Sequence, residues 1–131
     1  MLVVPAFWLA LAPGGAGDAV GRDSERLFLD AVCVARACEN ACAVAFVNAA
    51  AAADADPDAV DEQGCRYVGC SQLAMPLQGA LGRLGPAEGM SVVDVDLRVL
   101  DVAEDEYLVR SDMAQPGWHY ATTRPEAGKD A

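Results

Sequence analysis

Basic side chains are scarce in this chain. One lysine, Lys129, and one histidine, His119, stand among 131 residues, and nine basic residues face twenty acidic ones for a net charge of −11. A surface of that sign repels phosphate backbones and anionic lipid, so nucleic acid and membrane are excluded as partners. The shortage of histidine also weighs against zinc. Cys38, Cys42, Cys65 and Cys70 lack the tight pairs or the neighbouring histidines that a zinc site needs. No apolar run reaches the ~20 residues of a membrane span.

Other absences concern motifs. The glycines after Pro13 follow a short apolar run, but they have neither GxGxxG spacing nor a Gly-Lys-Ser/Thr ending, so they read as a plain loop. Gly69-Cys70-Ser71-Gln72-Leu73 lacks the second glycine of a nucleophile elbow, which makes Ser71 a structural strand residue. The acidic cluster of Asp94, Asp96, Asp101, Glu104 and Asp105 has no glycine at a calcium-loop turn and reads as a solvated face. No metal or other cofactor is expected.

The start, MLVVPAFWLALA, has no positively charged segment before its apolar run, since the first basic residue is Arg22, and Pro5 interrupts it. A buried strand over residues 2–5 with an aromatic loop is preferred to a secretory leader. The five cysteines are odd in number and three fall in one helix–strand unit. Free, buried thiols in a reducing cytoplasm are therefore expected rather than a disulfide framework.

What is present suits one folded domain, with 53% hydrophobic residues. Asp23 or Ser24 can cap a helix, and Glu25 complements its positive end. Leu27, Ala31, Val34 and Cys38 recur at helical spacing, widened by Phe28, Val32 and Ala35, which predicts the buried face. Arg36 and Glu39 are placed to pair on the other side. The run Ala43 to Val47 predicts a central strand. Residues 49–64, rich in alanine and aspartate, predict a solvated loop. A strand over 67–75, a turn at 76–79 and a return strand over 80–84 follow. Residues 90–97 alternate, with Val93, Val95 and Leu97 on one side, and predict another strand. A helix to about Val109 comes next, and from Arg110 periodicity is weak, with a mobile end over 121–131. The order predicts an α/β layered fold.

Four segments resemble the carbon–nitrogen hydrolases of the nitrilase superfamily, their C-terminal part only. They are VVPAFW, RACENACAVAFVNA, GCSQLAMPLQGALGRLG and EGMSVVDVDLRVLDVAEDEYLVRSDM. The wording around Ser71, Pro76 and Trp118-His119-Tyr120 is nearest to fungal members. The resemblance covers about residues 2–120, with 49–64 as an acidic insertion. It implies the C-terminal half of an α-β-β-α sandwich that pairs with a second copy through helical faces. It implies hydrolysis of a nitrile or amide C–N bond by a Cys-Glu-Lys triad. In the family those residues precede the strand that resembles VVPAFW. No cysteine here matches the nucleophile and Lys129 lies near the end, so no catalytic role is assigned and the chain by itself is expected to be inactive. Trp8 and Asn48 are the candidates for lining the substrate mouth, with plain packing as the alternative for each. The competing expectation is a non-catalytic subunit that pairs with a full-length relative through a helix at 24–40.

Overall fold

The computed structural model describes residues 1–11, 14–56 and 58–117. Strand β1 (Leu2–Ala6) is followed by a one-turn helix α1 (Ala16–Val20) and a long helix α2 (Ser24–Glu39). Then come β2 (Val44–Asn48), β3 (Gln72–Met75) and β4 (Gly79–Leu81). Helix α3 (Arg98–Tyr107) and a short α4 (Val109–Met113) close the order. The strands form one sheet, β1-β2-β3-β4. β1 and β2 run parallel with α2 as their crossover, and β3 and β4 pair antiparallel after them. No helix among the described residues is long and apolar enough to cross a membrane.

Helix α2 forms as expected, but its most buried stripe is shifted from the expected one. Its buried residues are Leu29, Cys33 and Ala37, spaced four apart, and they pack with Val44, Phe46, Cys70 and Ala74. Leu27 is 64% exposed and Phe28 50% exposed, and Ala31 and Ala35 are also exposed. The cause is a helix with apolar residues on two sides. The sheet takes Leu29 with the small residues at 33 and 37, Val32 and Val34 of the expected face pack half-buried beside them, and Leu27 and Phe28 stay outside. The Arg36–Glu39 pair forms at 2.6 Å. The expected cap does not: Asp23 is the N-cap residue but makes no side-chain cap bond. At the other end Asn40 donates its amide to the Arg36 carbonyl at 2.9 Å, and Ala41 takes a positive φ of 44°, which turns the chain into β2.

β2 is central, flanked on both sides. β1 is not covered on both faces, because it is an edge strand and Leu2 and Val3 are exposed. The predicted strand at 67–75 is shortened to β3, preceded only by isolated bridges at Arg66 and Tyr67. The predicted strand at 90–97 is absent. Alternation supplies a face but no partner, and no strand among the described residues lies beside it to complete a ladder. This segment instead crosses Gly82, where a Cβ would touch Ser91 and Val93. The glycine loop holds the extra turn α1, and α4 stands where weak periodicity was expected. Leu108, at φ 53°, breaks α3 from α4, and Arg110 ties them together through Glu104 at 2.6 Å. Trp118, His119, Lys129 and the end over 121–131 lie outside the described residues.

Candidate functional site

β1 and β2 run parallel, so their carboxyl ends meet at one edge, where ligands bind in open α/β sheets. Trp8 and Asn48 come together there. The Asn48 amide sits 9% exposed between three backbone groups. Its Oδ1 accepts from the Trp8 N–H at 2.7 Å. Its Nδ2 donates to the carbonyls of Trp8 at 2.9 Å and Gly69 at 2.8 Å. The Asn48 N–H donates to Ser71 Oγ at 2.9 Å. Both amide hydrogens and the amide oxygen are therefore engaged, and Asn48 holds the Trp8 loop against the turn before β3.

Trp8 itself is 39% exposed. Its indole Nε1 donates to Glu25 at 2.6 Å, and its ring lies 5.7 Å from that of Phe28. The loop is thus fastened at its backbone by β2 and at its side chain by α2. Gly69 is required at this junction: it has φ +63°, and a Cβ there would overlap the Gly85 carbonyl. Ser71, Glu25 and Gly69 were not expected in this part. Glycine ahead of a cysteine and a serine carries no pattern that announces a backbone crossing 16 residues downstream.

Asn48 also lines a hollow of about 660 Å³ on the sheet face turned away from α2. Ala45, Val47, Leu73 and Leu81 form its floor, and Ser91 and Glu88 stand at its wall. Among the described residues Glu88 is the one charged side chain lining it, with no thiol, imidazole or amine. Trp8 does not line it.

The thiols gather elsewhere. All five are free, and Cys33 of α2 and Cys70 are buried in the core between that helix and the sheet. Arg83 donates to Cys70 Sγ at 3.7 Å and pairs with Asp30 at 2.6 Å. Burial pushes the Cys33 thiol up, and Cys70 and Asp30 add to the rise. Burial also raises Cys70, against a smaller opposing pull from Arg83. Both stay protonated at neutral pH, which makes them poor nucleophiles. Among the described residues no three His, Cys, Asp or Glu side chains gather as a metal site. Comparison with protein-family models, curated proteins and solved structures finds no match.

Proposed function

We propose that residues 2–120 form the C-terminal half of a carbon–nitrogen hydrolase domain of the nitrilase type, working in the cytoplasm. The carrying observation is the one-sided sheet. One face is covered by α2, while Ala45, Val47, Leu73 and Leu81 on the other face an open hollow. A sandwich with two central sheets needs such a face, because the second sheet would lie on it. The Trp8–Asn48 clamp supports the same reading, since it fixes an aromatic residue at the carboxyl edge of two parallel strands.

In the intact domain a glutamate takes the proton of a cysteine thiol, and the thiolate attacks a nitrile or amide carbon. A lysine meets the charge of the intermediate, nitrogen leaves as ammonia or amine, and water releases the acid. None of those three residues is matched here. Trp8 lines the substrate mouth and Asn48 positions it. The chain alone hydrolyses neither nitriles nor amides.

The test is ammonia release by purified 1–131 from a panel of nitriles and amides, alongside light scattering and binding of a hydrophobic dye. No release, with association and strong dye binding, is expected. Turnover by this chain would sink the proposal, and so would a monodisperse monomer that binds no dye.

A second reading has its own observation. Leu27 and Phe28 are exposed on the outer side of α2. That side suits a non-catalytic subunit, or a second copy, pairing through residues 24–40. Leu27→Glu abolishes association under this reading and Val47→Glu does so under the first.

A further inference from the structure

The chain carries a net charge of −11, yet three of its few cations converge on one hollow. Arg22, Arg26 and Arg66 line a space of about 150 Å³, together with Asp23 and Tyr67. That is room for about five waters, enough for a phosphate or a carboxylate group. Arg66 is the fixed member: its side chain is 23% exposed, and Nη2 donates to the Arg22 carbonyl at 2.7 Å. A carboxylate oxygen from outside the lining already reaches two of these arginines. Asp58 Oδ1 is 2.7 Å from Arg22 Nη2 and 4.0 Å from Arg66 Nη1. Arg26 is held only loosely, 3.8 Å from Asp23. Three guanidiniums against the carboxylates of Asp23 and Asp58 leave one positive charge unmatched.

We propose that this hollow binds a small oxyanion, a carboxylate or phosphate group of a ligand, and that Asp58 is an internal competitor for Arg22 and Arg66. Guanidinium forks match both anions in shape and charge. Elsewhere the acidic surface repels them, so a ligand of this charge gains from a local positive hollow. Asp58 suits the part of a displaceable competitor. It sits in the acidic loop at 49–64, its side chain is 65% exposed, and its backbone N–H is held by Asp56 rather than by the core. The hollow adjoins the Trp8 loop, since Leu9 bridges to Tyr67 and the Ala10 N–H donates to the Arg66 carbonyl at 2.8 Å. The site does not depend on the hydrolase reading.

The test is titration calorimetry of the full chain at low ionic strength, with inorganic phosphate and with succinate as separate probes and circular dichroism to follow the fold. Saturable binding with a dissociation constant on the order of millimolar is expected. Asp58→Asn tightens it about three- to fivefold by removing the internal competitor. Arg66→Ala weakens it about tenfold or more, and sodium chloride weakens it throughout. Should Arg66→Ala disturb the fold, Arg26→Gln carries the same expectation in a residue with no hydrogen-bonded partner to lose. Preference for one probe tells phosphate from carboxylate. Absence of saturable binding of either probe to both the parent chain and Asp58→Asn overturns the site, as does binding that Arg66→Ala and Arg26→Gln leave unchanged. Because the readout is binding, its failure is separate from any failure of the hydrolase reading.

Discussion

The two faces of the sheet differ in what covers them. Between α2 and the sheet lie Leu29, Cys33, Ala37, Val44, Phe46 and Ala74, packed as a core. On the far side lie Ala45, Val47 and Leu73, of comparable apolar character, around an open hollow, with Val47 53% exposed. Side chains alternate along a strand, so one short sequence, Val44 to Asn48, supplies both faces at once. The lesson is that apolar alternation states what a surface needs, and only the arrangement of the other elements says whether that need is met.

The largest expected contrast is a pair of truncations. Leu29→Ala on the covered face costs about 2–5 kcal/mol of unfolding free energy, because it opens a cavity in packed surroundings. Val47→Ala on the open face costs under about 1 kcal/mol, since that side chain is already 53% exposed. Urea unfolding checks both, and equal losses would break the comparison.

The seam between the faces comes next. Asn48→Ala leaves the Trp8 N–H and the carbonyls of Trp8 and Gly69 without this partner. Each buried group so orphaned costs roughly 1–3 kcal/mol, and water reaching the half-open edge offsets part of that. Asn48→Asp restores the acceptor but not the donors and is expected to rescue little. Loss of the indole's fluorescence shift, read with the melting temperature, would tell local release of Trp8 from global loosening.

A smaller effect is confined to the covered face. Cys33 and Cys70 have folded-state pKa values above the ordinary 9.0. Below that value both thiols are protonated in the folded and unfolded chains alike, and the stability is fully present. As pH rises past it the unfolded chain loses its protons first, so stability falls until pH passes the raised folded values. Cys33→Ala with Cys70→Ala removes that alkaline slope, whatever it does to the neutral-pH value. An unchanged slope would place its origin outside this face.

The smallest effects belong to exposed ion pairs. Arg98 pairs with Asp96 at 2.6 Å and hydrogen bonding from Arg98 holds the Asp96 carboxyl below its usual range. A depressed carboxyl contributes above its unfolded pKa and loses that contribution on acidification. Here both groups are exposed, and Arg98→Ala is expected to leave the melting temperature unchanged at neutral pH.

Much of the element order was legible. The helix starting at Ser24 and the central strand after it follow from local period and an apolar run, both of which act over a few residues. The inward face of α2 was not legible, because two apolar stripes compete and the choice depends on the sheet surface beneath. Residues 90–97 misled for a related reason: alternation is a property of the segment, while a strand is a property of a pair. At the edge, Trp8 and Asn48 were visible as candidates, yet their mutual bonds span 40 residues. The arginine hollow was invisible, since Arg26 and Arg66 are as far apart along the chain and meet only through the loop that carries Leu9 against Tyr67.

By itself the sequence determined the sign of the surface, the helix and strand at the centre, and the mixture of α and β that follows from them. Those depend on charge count and on periodicity, which are written locally. The tertiary structure decided which stripe of α2 is buried, that one sheet face stays open, that the Asn48 amide clamps three backbone groups, and that three arginines share a hollow. Those depend on which distant segments touch, and contact over long separations is settled by packing and by pairing of buried polar groups rather than by any neighbour in the chain.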